Sequence, residues 1–581
     1  MTKQELKKLI DVAAGRIPAD TVLKNCRVVD VYSGAITQGD IALCDGRIAG
    51  VGAYEGVEVI DAEGRYAAPA FIDSHIHIES SYVTPEQISR LLVPHGAGTI
   101  IADPHEIVNV CGIRGLDYMM DAAKDAALDI KFMLPSCVPA TPFENSGAVI
   151  DAEQMREPIT RENILGLGEF MNYVGVIGAD DAVLDKLLVA INHGKLIDGH
   201  APTVMGKDLN AYCAPGIRGD HECATVEEMH ARIARGMYVL LRQGSACHDL
   251  RTLVHGVTPA NSRRCVLCSD DRQPKTIFSE GHIDSHLRTC VEEGLDPIIA
   301  IQMATLNAAE CWHLNDRGAI APGLRADIVL LDDLKDFHVN RVWLAGKLCA
   351  QEDEYLLEVH RHDISSVKGS VHLKDFSVDR LRLPLKSDWA HVIQILPGGV
   401  VTQNRVARIT RDADGSFVRD PNVDIVKVAV VERHKCTGNV AVALLGGYGI
   451  QHGAVALSVA HDSHNIITVG VSDEEMACAV EALAEQEGGI VLVRDGKVVE
   501  RMPMPVAGLM SDKSGRWVDE RLTAIHAAAH AELGIAGGVE PVMTLCFMSL
   551  PVIPELKLTD LGLFDVTNFR FTTVEAEEPK E

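Results

Sequence analysis

The sequence has few aromatic residues, a deficit of positive charge and no long apolar run. Only 4% of its 581 residues are aromatic although 47% are hydrophobic, so we expect an aliphatic core. No run of about 18 apolar residues occurs, which predicts that the chain does not cross a membrane. Residues 1–16 have the apolar spacing of a short amphipathic helix and lack the continuous apolar stretch of a signal peptide.

The charge balance and the cysteines restrict the partners and the compartment. The chain has 54 Lys and Arg residues against 82 Asp and Glu residues, a formal charge of −28. An acidic surface repels phosphate backbones, so we expect no nucleic-acid polymer as partner, although a neutral nucleobase is compatible. The 15 cysteines are scattered, which favours reduced thiols in the cytoplasm. Cys265 and Cys268 form a C-x-x-C without a second pair, so we expect two buried thiols on a strand rather than a zinc site.

The pattern of the chain predicts an α/β protein with three structural units. Residues 1–65 have short strands with turns, typical of a small β-domain. Residues 66–314 alternate eight short apolar strands with helical stretches, which predicts a (β/α)8 barrel; the sixth strand, GIRGDH, has the weakest pattern. Residues 315–368 return to β pattern and are expected to close the small domain, a β-sandwich built from segments that flank the barrel, before a polar connection. Residues 369–581 are expected to form a C-terminal α/β domain.

Metal-competent side chains occur at the ends of five of the predicted barrel strands. His75 and His77 end the first strand, and alternate residues of a strand share a face, so both can bind one ion. Glu169, His200, His221 and Asp270 end the fourth, fifth, sixth and eighth strands. A barrel brings these ends together at one face. We therefore expect a divalent metal site there, with a central carboxylate able to bridge two ions and two further histidines for the second.

Other polar residues near these positions allow more than one interpretation. His105 follows the second strand and His248 the seventh, and each is either a residue around the ligands or an ordinary loop histidine. In the C-terminal domain, His461, Asp462 and His464 either touch the active site, hold an extra ion or form a solvated loop.

These motifs resemble the amidohydrolase superfamily, and within it the adenine deaminases. The strand-end residues match the superfamily pattern, and IADPHEIVNVCG, PSCVPATPFENSGA and SVAHDSHNIITVG resemble adenine deaminases specifically. The resemblance covers nearly the whole chain, including the C-terminal domain. It implies hydrolytic deamination of adenine to hypoxanthine and ammonia by a metal-bound hydroxide, in purine salvage.

The resemblance also implies roles for individual residues. The implied metal ligands are His75, His77, Glu169, His200, His221 and Asp270. The implied cofactor is two Mn(II) or Fe(II) ions per active site, with Zn(II) also compatible. Asp270 is expected to carry protons between water and the leaving amine. Either Glu106 or Glu222 is expected to protonate the purine ring, and the sequence does not choose between them.

Two alternatives share much of this sequence pattern. The first is another amidohydrolase that acts on a cyclic amide or an N-acyl substrate; Glu169, in the place of the lysine expected in cyclic amidases, argues against it. The second is a non-catalytic binding protein on an inactive barrel, which the complete set of ligand types argues against. A chain with this many domains is expected to form a homo-oligomer, most simply a dimer.

Overall fold

The N-terminal segment forms one helix and five strands. The structure is a computed structural model and describes residues 1–397 and 400–579. The predicted amphipathic helix is present, and it begins with a capping box in which Thr2 accepts from the backbone of Glu5. These elements are α1 (Lys3–Ala13), β1 (Ala19–Asp30), β2 (Ala35–Cys44), β3 (Arg47–Gly52), β4 (Gly56–Asp61) and β5 (Tyr66–Pro69). The leucine and valine side chains on the inner face of α1 are buried against β1 and β2.

Eight parallel strands follow, at the predicted positions. They are β6 (Phe71–Ile76), β7 (Ala97–Ala102), β8 (Asp129–Leu134), β9 (Ile164–Phe170), β10 (Leu196–Gly199), β11 (Gly219–Asp220), β12 (Tyr238–Arg242) and β13 (Cys265–Cys268). The sixth strand, β11, has only two residues. A Cβ on Gly199 would lie 2.4 Å from the carbonyl oxygen of Gly219, so glycine permits the close approach of β10 and β11. Cys265 and Cys268 are buried on β13, as predicted.

The eight strands close into a barrel. Strands β6 to β10 form one parallel sheet and β11 to β13 another. One junction is made where the backbone N–H of His77 donates to Asp270 (3.2 Å) and that of Asp270 donates to His75 (2.9 Å). The other junction is the hydrogen bond from the N–H of Arg218 to the carbonyl of Ile197 (2.9 Å). The carboxyl ends of all eight strands therefore lie at one face.

Helices surround the barrel between these strands. Their bounds are α2 (Pro85–Leu92), α3 (His105–Cys111), α4 (Ile113–Ala122), α5 (Ala152–Met155), α6 (Tyr173–Ile177), α7 (Asp181–Asn192), α8 (Gly206–Cys213), α9 (Val226–Ile233), α10 (Leu250–Leu253), α11 (Pro274–Glu280), α12 (Ile283–Glu292), α13 (Pro297–Ala304) and α14 (Leu306–Cys311). Within the described residues, no helix combines the length and the apolar character needed to cross a membrane.

The small β-domain is built from both segments that flank the barrel, as predicted. The returning strands are β14 (Ile328–Leu331), β15 (Val339–Leu344), β16 (Lys347–Gln351) and β17 (Glu354–Tyr355). They join β1 to β5 in one nine-stranded sheet, in which β5 pairs with β1 on one side and β14 on the other. The apolar run AAPAFID, from Ala67 to Asp73, favours one continuous barrel strand, but the structure divides it between two strands. Strand β5 ends at Pro69, and the first barrel strand begins at Phe71. The division into four segments as a whole stays a prediction.

The C-terminal domain is a mixed sheet with helices on it. Its strands are β18 (Trp389–Ile395), β19 (Thr402–Arg408), β20 (Thr410–Arg411), β21 (Phe417–Val418), β22 (Ile425–Val431), β23 (Val440–Gly446), β24 (Ala454–Leu457), β25 (Ile466–Gly470), β26 (Gly489–Arg494), β27 (Lys497–Pro503), β28 (Leu556–Thr559), β29 (Gly562–Asp565) and β30 (Arg570–Phe571). Its helices are α15 (Asp473–Glu485), α16 (Gly515–Ala531) and α17 (Met543–Cys546).

Eight of these strands form the main sheet, in the order β19-β18-β23-β22-β25-β24-β26-β27. Helix α15 packs on one face of that sheet. Side chains of the other face belong to the same hydrophobic core as the barrel. The domain is therefore packed directly against the barrel, and the loop between β24 and β25 reaches the barrel's carboxyl face.

Candidate metal centre

The structure brings the six predicted ligands together at the carboxyl face of the barrel. His75 lies in β6, His77 directly follows that strand, and Glu169 lies near the end of β9. His200 and His221 follow directly after β10 and β11, and Asp270 is the second residue after β13. Five of the six are buried, and His200 is partly exposed. The barrel topology thus gathers side chains that are up to 195 positions apart in the sequence, from His75 to Asp270.

Glu169 lies between two pairs of histidines. Its Oε1 is 3.2 Å from His77 Nε2 and 3.8 Å from His75 Nε2. Its Oε2 is 2.6 Å from His200 Nδ1 and 3.3 Å from His221 Nε2. Each carboxylate oxygen therefore faces one histidine pair, which is the arrangement of a carboxylate that bridges two ions.

The histidines of the first pair direct their Nε2 atoms at one another. His77 Nδ1 is 2.9 Å from the carbonyl oxygen of Asp103, which only accepts, so this nitrogen carries the hydrogen. In a neutral His77 the lone pair is then on Nε2, and this atom is only 3.2 Å from Nε2 of His75. His75 Nδ1 lies 3.3 Å from Asp198 Oδ2.

Asp270 completes this group of electron-rich atoms. Its Oδ1 is 3.1 Å from His77 Nε2 and 3.7 Å from His75 Nε2. Separations of about 3 Å are those of neighbouring ligands on one ion at bond lengths of about 2.0–2.2 Å. Lone pairs and carboxylate oxygens this close repel one another unless a cation lies between them. The residues therefore fit a divalent metal, and imidazole with carboxylate suits manganese, iron and zinc.

The electrostatic surroundings keep both central carboxylates ionised. Burial alone would raise the pKa of Glu169, but the hydrogen bonds from His200 and His221 outweigh it and hold the pKa well below its usual range. Burial opposes ionisation of Asp270 too, but the charge of Arg242 beside it lowers its pKa. Both groups are therefore in the form that binds a cation.

Arg242, at the end of β12, is a part of the site that the sequence analysis missed. Its Nη1 donates to Asp270 Oδ2 at 3.0 Å and also contacts Glu222. Its Nη2 donates to Asp249 at 3.0 Å. Burial acts to raise the pKa of Glu222, but its charged neighbours, Arg242 foremost, together have a larger, opposite effect. The pKa of Glu222 is therefore below its usual value. A lone arginine after an apolar strand gives no signal of this role in a sequence.

A second group of predicted residues lies beside the ligands. His105 Nδ1 is 3.4 Å from Glu169 Oε1, and its Nε2 is 3.5 Å from Glu106 Oε1. His461 Nδ1 is 2.6 Å from the same Glu106 oxygen, and His464 Nε2 contacts the other one. Asp462 Oδ1 is 3.8 Å from His105 Nε2. The C-terminal cluster is thus brought to the active face rather than left in a solvated loop.

His248 is placed differently from the other predicted residues. It is exposed, and its Nδ1 is 3.0 Å from the side-chain amide of Gln243. Among the described residues, no ion pair or hydrogen bond joins its side chain to the six ligands. The loop after β12 turns this side chain outward, and Arg242 takes the inward position.

The comparisons with known proteins agree with this geometry. Residues 66–349 match the amidohydrolase family, and residues 399–570 match the adenine deaminase C-terminal domain. The chain is 66% identical to adenine deaminase 2 of Desulfotalea psychrophila, over 99% of this chain and all of that one. It is 53% identical to adenine deaminase of Ligilactobacillus salivarius, over 99% and 100%, and 45% identical to adenine deaminase of Clostridium acetobutylicum, over 97% and 99%. This chain therefore belongs to the adenine deaminase family of amidohydrolases.

Proposed function

We propose that this protein hydrolyses adenine to hypoxanthine and ammonia, breaking the bond between C6 and the exocyclic nitrogen. The observation that carries the proposal is Glu169 between two histidine pairs, with Asp270 beside the first pair. This site lies in a chain that matches adenine deaminases over its whole length.

We propose a specific division of the ligands. His75, His77 and Asp270 would hold one ion and His200 and His221 the other, with Glu169 available to either ion. Divalent ions in such a site lower the pKa of a coordinated water toward neutrality and act as Lewis acids. Two ions of Mn(II) or Fe(II) are the proposed cofactor, with Zn(II) compatible with the same donors.

Asp270 is the proposed carrier of protons. Its Oδ1 faces the histidines, so Oδ2, which accepts from Arg242, is the atom that takes a proton from the attacking water. The same oxygen then returns the proton to the exocyclic nitrogen, which leaves as ammonia. Arg242 holds the carboxylate in one orientation through both transfers.

Glu106 is the proposed acid for the purine ring. Its partners are the imidazoles of His461 and His464, which are not permanent cations. Glu222 is instead paired with the guanidinium of Arg242, which stays charged at every working pH and keeps this carboxylate ionised. A proton supplied to ring N1 makes C6 a better electrophile for attack.

The surroundings of the reaction are also proposed. All 15 cysteines are free, which favours a reducing compartment such as the cytoplasm, where the enzyme would serve purine salvage. The active assembly is proposed to be a homodimer, with adenine as substrate and with neither nucleic-acid polymers nor membranes as partners.

The test is an assay of the purified, manganese-loaded protein with four substrates. Ammonia release and the ultraviolet shift are followed with adenine, adenosine, cytosine and a cyclic amide. Turnover of adenine alone supports the proposal. Turnover of the cyclic amide alone, or of none, would leave a metal-binding amidohydrolase barrel and remove the deaminase function.

A further inference from the structure

A loop of the C-terminal domain that carries His461 and His464 hydrogen-bonds to one carboxylate of the barrel, Glu106. Glu106 lies in the first turn of α3 and is 2% exposed. Its Oε1 lies 2.6 Å from Nδ1 of His461, and its Oε2 contacts Nε2 of His464. Each oxygen of a barrel carboxylate is therefore bound by a different histidine from another domain, 355 and 358 positions further along the chain.

His461 and His464 form a clamp of two hydrogen bonds on Glu106. The hydrogen bonds around His464 favour this clamp over a third metal site. The backbone N–H of Ala460 donates to His464 Nδ1 at 3.2 Å, so the lone pair of a neutral ring is on Nδ1. Nε2 then carries the hydrogen and donates it to Glu106. An ion would need the lone pair of Nε2, which this tautomer does not offer.

The clamp is held rigidly within its own domain. The backbone N–H of His461 donates to Cys546 at 2.9 Å, and its ring stacks on Phe547 with centroids 4.7 Å apart. The guanidinium of Arg433 donates to the carbonyl of His464 and, at 3.0 Å, to that of Ala507. Both histidines are at most 5% exposed. Their direction is therefore set by C-terminal packing rather than by the barrel.

A chain of contacts joins the clamp to the metal centre. Glu106 Oε1 is 3.5 Å from His105 Nε2, and His105 Nδ1 is 3.4 Å from Glu169 Oε1. His105 therefore lies between the clamped carboxylate and the carboxylate that separates the two histidine pairs. Two short contacts, one on each side of the His105 ring, therefore connect the orientation of Glu106 to Glu169.

We propose that His461 and His464 are positioning residues that orient Glu106, and through it His105, so that the C-terminal domain completes the active site. The activity readout rests on the proposed deamination of adenine. The contact between Glu106 and the two histidines does not depend on that reaction, and thermal unfolding tests it separately. Residues that orient the surroundings of a metal site typically change activity or metal affinity by about 10- to 100-fold when replaced.

The two histidines use different ring nitrogens, and this gives a sharp test. The side-chain nitrogen of asparagine lies near the position of a histidine Nδ1, and that of glutamine lies near Nε2. His461→Asn and His464→Gln therefore keep a donor to Glu106, whereas His461→Gln and His464→Asn misplace it. The same pair of substitutions at His452, which is exposed, is the matched control.

The experiment measures kcat with adenine, manganese content and melting temperature for the full-length variants. We expect His461→Gln and His464→Asn to lose about 10- to 100-fold in kcat, with both ions retained, and the two matching variants to keep most of it. The His452 variants should equal wild type. Equal effects of Asn and Gln at both positions, or losses that only follow lost manganese or stability, would overturn the proposal.

The contact is tested without any turnover by thermal unfolding of the same protein. Glu106→Gln, His464→Asn and the double variant are compared with wild type. A direct contact predicts that the double variant melts near the lower of the two single variants, because the second change removes nothing further. Additive shifts would overturn the clamp. Inactivity of wild type toward adenine would remove only the proposed function.

Discussion

Two groups of histidines and carboxylates of similar composition lie at the same face of the barrel, and their hydrogen bonds differ. In the strand-end group, Nδ1 of His77 faces the carbonyl oxygen of Asp103, which leaves Nε2 of the neutral ring as a lone pair. In the clamp, Nδ1 of His464 accepts a backbone N–H, which leaves Nε2 as a donor. The first group therefore fits a cation, and the second is satisfied by a carboxylate.

The comparison shows that residue type does not identify a metal site by itself. The group that meets the outer nitrogen of an imidazole decides whether its inner nitrogen is a lone pair or a donor. Removing one histidine from each group should therefore have different consequences for bound metal.

The largest expected effect is that of His75→Ala. We expect loss of turnover together with loss of bound manganese, because Nε2 of His75 lies within 3.8 Å of three other proposed ligand atoms. Metal analysis after reconstitution, with adenine turnover alongside, makes the check. Two retained ions would show that His75 is not a ligand.

Asp270→Asn should separate binding from chemistry. Asparagine keeps an oxygen for the ion and loses the proton acceptor, so we expect kcat to fall by about 10²- to 10⁴-fold with the metal largely retained. Steady-state kinetics and metal content are measured on one preparation. Normal turnover of adenine would contradict the proposed role of Asp270 as proton carrier.

The two candidate ring acids are distinguished by their neutral isosteres. We expect Glu106→Gln to reduce kcat by about 100-fold and Glu222→Gln to reduce it less, because Glu222 is paired with the permanent charge of Arg242, whereas the partners of Glu106 are imidazoles. The comparison is made at saturating adenine with both ions present. The opposite ranking would assign the proton to Glu222.

The smallest expected effect is a pH-dependent change in stability. Burial lowers the pKa of His461, but the charge of Glu106 outweighs it and raises the pKa to about 9, from the ordinary 6.5. The resulting stabilisation is complete below pH 6.5, declines as the pH rises and is lost above pH 9. It amounts to about 3 kcal/mol at the lower end, from about 1.4 kcal/mol per pKa unit.

The check uses His461→Asn, a neutral isostere. Chemical unfolding from pH 5.5 to 9.5 should show wild type more stable by the largest margin at low pH, with the margin vanishing near pH 9.5. His452→Asn should show a constant margin. A His461→Asn margin that does not change with pH would mean that His461 is uncharged in the folded protein.

The barrel and its six strand-end residues were predictable because they follow from topology. Each ligand comes directly at the end of an apolar strand, and a closed barrel brings all such ends to one face. The residues of the second group could be named from the sequence, but the contacts between them could not. Glu106 and His461 are far apart in the chain, and their contact depends on how the C-terminal sheet packs on the barrel.

Arg242 and the split at Pro69 were missed for local reasons. Arg242 is not part of any recognisable sequence motif. The loop after β12 turns His248 outward, and the guanidinium of Arg242 lies against Asp270 instead. The apolar run around Pro69 reads as one strand, but its two halves pair in different sheets. The sequence of a short apolar run does not show which strand it will pair with.

The most direct measurement is anomalous X-ray diffraction from crystals of the manganese-loaded protein. The account predicts two peaks, one among His75, His77 and Asp270 and one beside His200 and His221, with Glu169 between them. It predicts no peak between Glu106 and the histidines of the clamp. A peak at the clamp, or none at the strand ends, would contradict the account.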